Sequence, residues 1–125
     1  MKAIGIIPAR LAATRFPNKP MARICGMPMV GHCYHRARLS TGIEAAYVAT
    51  CDQEIYDAVE GFGGQAIMTS TVHQRASDRV AEVAKGMEAD IFVLIQGDEP
   101  ITLPDMIDRA VAPMLEDPDI ACVNL

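Results

Sequence analysis

An α/β fold, with a mostly parallel sheet covered by helices on both faces, is predicted by three observations. Short apolar runs rich in Ile, Val and Ala alternate with segments whose apolar residues fall at helical spacing. Such runs read as strands buried on both faces rather than as a sheet with one wet side. Each run stops in a polar loop, and no repeat, linker or low-complexity segment interrupts the series.

The first strand is expected over residues 2–7, Ile-rich and stopped by Pro8. Loop 8–20 is too polar and Pro-rich for either element. Residues 21–24 form a brief extended piece ending in a turn at Cys25 and Gly26. Pro28 suits the first turn of a helix, and Met29, Val30, Cys33, Tyr34 and Ala37 mark one helical face up to Leu39. A second strand follows at 45–49. Asp52 is expected to cap a helix over 53–62 built on Ile55, Ala58, Val59 and Phe62, stopped by Gly63 and Gly64. A short third strand at 66–68 leads into the polar loop 69–75. Ser77 or Asp78 then starts a helix to Met87 with Val80, Val83 and Ala84 on one face. Residues 91–95 (IFVLI) make the clearest strand, read as central to the sheet. Pro104 opens a helix to about Leu115, and residues 120–123 begin a fifth strand.

Composition narrows the function. The chain has 125 residues, about one domain, with a formal net charge of −5 and no Trp. A broad nucleic-acid or anionic-membrane surface is therefore not expected, nor are stacking platforms for single strands. A local basic pocket is a separate matter. Cys25, Cys33, Cys51 and Cys122 show no C-x-x-C pair and no zinc-finger spacing. They read as reduced thiols packed like small apolar residues. No apolar stretch approaches the ~20 residues that span a bilayer, and the start of the chain has no signal-peptide pattern. A soluble cytoplasmic protein is the expectation.

In open parallel sheets, ligands bind beyond the carboxyl ends of the strands, where the strand order reverses. Four polar loops then become candidates: 8–20, 50–52, 69–79 and 96–100. The first carries Arg10, Arg15 and Lys19 within ten residues. Arg supplies a planar fork of donors, Lys a point charge, and a tight backbone adds N–H groups, so this loop suits phosphates. It contains no Gly, so it is neither the Walker nor the dinucleotide fingerprint. The alternative is a surface loop with ordinary solvated cations. In the fourth loop, Asp98 could hold Mg²⁺, which binds through one or two carboxylates plus substrate phosphates. Gly97 would let backbone approach a nucleotide. Alternatively, Asp98 caps the following helix or is solvated along with Glu99. His73, Gln74 and Arg75 could recognise a polar ligand or lie on the surface. Thr50 and Asp52 are similarly ambiguous, with capping favoured for Asp52.

These motifs together resemble a known family. The run IIPARLAATRFPNKPMARICGMPMV, followed by YVATCD, MTSTVHQ and VLIQGDEP, is similar to the 3-deoxy-manno-octulosonate (Kdo) cytidylyltransferases. The resemblance covers essentially the whole chain. It implies a three-layer α/β/α, Rossmann-like nucleotide-diphospho-sugar transferase fold, here incomplete. The family's subunits are about twice as long, so residues 1–125 correspond to the nucleotide-binding half. The other half of the family subunit supplies sugar contacts, a second metal carboxylate and the interface of a homodimer.

The implied reaction is attack of the sugar's anomeric hydroxyl on the α-phosphorus of CTP, giving CMP-sugar and pyrophosphate with Mg²⁺, for lipopolysaccharide sugar activation. Carried over by position, Arg10 and Lys19 match phosphate-binding residues and Arg15 a neighbouring loop cation. Pro8 and Ala9 would present backbone to cytosine and ribose. Gln96 and Asp98 match a nucleotide-proximal Gln and the Mg²⁺-binding Asp, while His73 and Gln74 face nucleotide and sugar. After His-Gln the family's usual Ser-Gly-Thr-Glu-Arg is replaced here by Arg75, Ala76, Ser77, Asp78 and Arg79. That departure leaves the acidic sugar open between Kdo and another ulosonic acid. A truncated nucleotide-binding or assembly module without catalysis is the alternative from another class.

Overall fold

A computed structural model of the chain describes residues 2–11, 19–71, 75–97 and 103–123, with the side chain of Lys19 outside that set. Its centre is β1 (Ala3–Pro8), buried along its whole length. Strand β4 (Ala45–Thr50) pairs parallel on one side of β1 and β6 (Ile91–Leu94) pairs parallel on the other. Strand β5 (Ala66–Met68) adds parallel to β4, giving the order β5-β4-β1-β6. The predicted parallel sheet is present, with one difference. Residues 91–95 lie at an edge of the described sheet, and β1, whose two faces are both covered, holds the centre.

Side-chain alternation on β1 builds two cores. Ala3 and Ile7 face one, with Val30, Cys33, Tyr34 and Ala37 of α1 (Met29–Arg38), Ile55 and Val59 of α2 (Gln53–Gly61), and Ile107 and Val111 of α4 (Pro104–Glu116). Ile4 and Ile6 face the other, with Ala49 and with Val80 and Val83 of α3 (Ala76–Lys85). Connections out to β5 run over the first face. The return through α3 to β6 runs over the second. This is the arrangement that produces a reversal of strand order beside β1.

Several local expectations change. Between loop 8–20 and α1, a 3₁₀ turn (Lys19–Met21) leads into a two-stranded hairpin, β2 (Arg23–Ile24) with β3 (Met27–Pro28). Cys25 and Gly26 both have positive φ, 52° and 82°, as a tight two-residue hairpin turn requires. The turn was legible; the returning strand was not, and it puts Pro28 ahead of the helix rather than in its first turn. Helix α3 begins at Ala76, before Ser77 and Asp78. Asp52 stands at the cap position of α2 but makes no side-chain cap bond. Residues 120–123 are not a strand: an apolar run becomes one only where a neighbour supplies its ladder. Of the four cysteines, Cys33 alone is buried, Cys51 is half-buried, and Cys25 and Cys122 are exposed. No helix among the described residues is long and apolar enough to cross a membrane.

Candidate nucleotide site

All four strands run parallel, so the loops that leave β1, β4, β5 and β6 share one edge of the sheet. The chain proceeds outward from β1 to β4 to β5, then crosses back to β6 on the far side of β1. The exits of β1 and β6 therefore flank the switch point. Their backbones meet there: a Cβ built on Gly97 would lie 2.9 Å from the Pro8 carbonyl oxygen. The absent side chain is thus needed for contact between the two loops, a role the sequence reading had given to a nucleotide. Gln96, just before it, is exposed at the same edge.

The β1 exit is held on its other side by β4. The Ala9 N–H donates to the Ala49 carbonyl at 3.0 Å, and the Leu11 N–H donates to Asp52 Oδ2 at 2.8 Å. Asp52, expected to cap its own helix, instead bonds a backbone 41 residues away. Thr50 Oγ1 accepts the Asp52 N–H at 3.1 Å. Thr50 is fully buried, and its side chain acts on this edge through Asp52. Pro8 and Ala9 are buried and Arg10 is half-buried just beyond the end of β1.

Arg79 was absent from the predicted site residues. It is only 3% exposed, its Nε donates to Thr69 Oγ1 at 3.0 Å, and Nη2 lies 3.6 Å from Cys51 Sγ. The guanidinium thus joins the β4 and β5 exits. Its signal in the sequence was position: Arg79 sits on the helical face shared by Val80 and Val83. Arg15, His73, Gln74 and Asp98 lie outside the described residues, as does the side chain of Lys19. Among the described residues no three His, Cys, Asp or Glu groups cluster to hold a metal. A cavity of about 410 Å³ lined by Tyr34, His35, Arg38, Gly63 and Gln65 lies away from this edge.

Residues 4–124 match the cytidylyltransferase family. The chain belongs to that family. It is 47% identical over 120 residues to the 3-deoxy-manno-octulosonate cytidylyltransferase of Trichlorobacter lovleyi, covering 96% of this chain and 48% of that protein. The corresponding protein of Geobacter metallireducens is 49% identical, with 96% and 47% covered. The chain therefore spans about half the length of the curated relatives it matches. Among solved structures, a CMP:2-keto-3-deoxy-manno-octonic acid synthetase complexed with CTP superposes with a TM-score of 0.93 at 42% identity, covering 96% of this chain and 50% of that one. The Rossmann-like nucleotidyltransferase fold follows directly from that likeness.

Proposed function

We propose that this chain forms the CTP-binding part of an enzyme that transfers CMP to the anomeric hydroxyl of Kdo or a related ulosonic acid, releasing pyrophosphate. The observation that carries the reading is the switch point between β1 and β6, with Arg10 half-buried just beyond the end of β1, in a fold that matches a CTP-complexed synthetase. The attacking oxygen forms a bond to the α-phosphorus as the bond to the leaving pyrophosphate breaks. Negative charge gathers on phosphate oxygens, so positioning and charge stabilisation carry most of the protein's contribution.

In this reading Arg10, Arg15 and Lys19 neutralise and orient the triphosphate. The Ala9 N–H is committed to Ala49, so Pro8 and Ala9 meet base and ribose through carbonyl oxygen and apolar surface. Gln96 and Gly97 border the nucleotide from β6, and His73 and Gln74 contribute from the β5 exit. Asp98 directly follows Gly97 in the chain. A single carboxylate completed by substrate phosphates is a usual Mg²⁺ arrangement, needing no cluster of three protein ligands. The ion, when bound, would offset phosphate charge.

The test is calorimetric titration of the chain with CTP and Mg²⁺, beside a pyrophosphate-release assay with Kdo added. Arg10→Ala should weaken CTP binding about tenfold or more, the worth of a charge-assisted bond. Unchanged affinity would remove Arg10 from the phosphate site. Asp98→Asn should abolish the Mg²⁺ dependence of binding. Binding with no pyrophosphate release would fit a nucleotide-binding module that does not itself complete the transfer. No CTP binding by the wild-type chain would sink the reading.

A further inference from the structure

We infer that Asp52 is a positioning residue for Arg10: its carboxylate takes the place of a missing ladder acceptor and fixes the direction of the β1 exit loop. The inference rests on the CTP reading for its functional consequence, but its structural half stands on the backbone alone.

In a parallel ladder, alternate N–H groups of a strand point to the same neighbour. The Ala9 N–H finds the Ala49 carbonyl. The next N–H on that side belongs to Leu11, but β4 ends at Thr50 and the chain turns into α2. No strand carbonyl is left in register. Asp52 Oδ2 fills the gap at 2.8 Å. The residue between the two pinned amides is Arg10. With residues 9 and 11 both drawn toward β4, the backbone at Arg10 lies between two fixed neighbours.

One further contact reaches the carboxylate, from the Cys51 thiol, and two more steady the Asp52 backbone and that sulfur. Thr50 Oγ1 accepts the Asp52 N–H at 3.1 Å, the Cys51 thiol lies 3.9 Å from Oδ2, and Arg79 Nη2 stands 3.6 Å from that sulfur. Asp52 also opens α2, whose backbone uses the Asp52 carbonyl as acceptor for Tyr56. The latch is therefore mounted on β4 and α2, both anchored in the core by Val48, Ile55 and Val59. A rigid mount is what a positioning group needs if it is to hold a neighbouring loop to the precision that binding rewards.

Two measurements on the full chain test this. Amide hydrogen exchange at Leu11, with Val48 as core control, reads the latch without any ligand. Asp52→Ala should speed Leu11 exchange about tenfold, the worth of one bond from N–H to carboxylate, with Val48 unchanged. Asp52→Asn keeps an oxygen acceptor and should restore most of the protection. Should Asp52→Ala not fold, Asp52→Glu displaces the acceptor by a methylene and should free the same amide. The second measurement is CTP affinity in a double-mutant cycle. Asp52→Ala should weaken binding about fivefold, but it should add little in the Arg10→Ala background because the two act as one unit. Unaltered Leu11 exchange would overturn the latch, and additive losses would overturn its action through Arg10. Wild-type protein that binds no CTP would instead overturn the function reading, leaving the exchange result to decide the latch.

Discussion

At the amino edge of the sheet, Asp108 of α4 gathers the loop that leads into β4. Its Oδ1 accepts from the Ser40 hydroxyl at 2.5 Å and from the Gly42 N–H at 2.6 Å, and Oδ2 accepts from Thr41 at 3.3 Å. At the carboxyl edge, Asp52 makes one backbone bond across to the exit of β1. The first carboxylate is saturated by three consecutive residues and ties a helix to a connection. The second spans two strands and aims a loop that carries a cation. Two residues of the same chemistry thus divide the work: Asp108 maintains the fold, and Asp52 shapes the edge where the candidate site lies. The comparison predicts that damage at the amino edge costs stability alone, while damage at the carboxyl edge costs binding.

The largest effect is expected from Gly97→Ala. Its Cβ would meet the Pro8 carbonyl at 2.9 Å, and a backbone oxygen in a central strand has no rotamer by which to retreat. Overpacking of this kind costs about 1–3 kcal/mol, and it parts the two loops that flank the switch point. Urea denaturation should show the loss and CTP titration a weakened site. Gly86→Ala is the control: its Cβ meets nothing nearer than 3.7 Å and should change stability by less than about 0.5 kcal/mol. If both variants behaved alike, close approach would not explain Gly97. Next comes Asp108→Ala, which strips the amino-edge loop of its acceptor. Bonds to a charged group, discounted for partial exposure, put the loss at roughly 1–2 kcal/mol. CTP affinity of the folded fraction should not move; a fall in affinity would show the two edges to be coupled.

What the sequence revealed follows the same division between near and far. The strands and their exit loops were legible because apolar runs and their polar stops are local signals. Parallel order followed from alternation with helices, and the shared edge followed from parallel order. Gly97 was marked as a point of close approach, but its partner, Pro8, is a neighbour only once β6 has crossed back beside β1. The same distance hid both carboxylates. Asp52 has a local explanation, capping, that fits every nearby residue, and it lost to an amide 41 positions away. Asp108 carries no local signal, because its donors stand 66–68 residues earlier. Arg79 was not singled out as a site residue, although its spacing with Val83 places it on the buried face. For 120–123 the error ran the other way: strand-like composition was taken for a strand without a ladder to join. Arg10, Gln96 and Gly97 sit at the predicted edge, and Thr50 lies buried at the end of β4.

The smallest predicted effect sharpens the contrast through pH. The Ser40 hydroxyl is the main influence holding the Asp108 carboxyl below its ordinary value of 3.8; partial burial opposes it, and the Gly42 and Thr41 donors add to it. A carboxylate whose folded pKa is depressed contributes stability that is complete above its unfolded pKa. That contribution drains away as pH falls through the folded value. The stability gap between wild type and Asp108→Asn should therefore be constant from neutral pH down to about pH 5 and should narrow below about pH 4. Urea midpoints across that range would show it. A gap that stayed constant to about pH 3 would mean that shape, not charge, holds the amino-edge loop, since the Asn amide fits the same space. Narrowing with an unaltered CTP site at neutral pH would confine Asp108 to the fold and leave the carboxyl edge to Asp52.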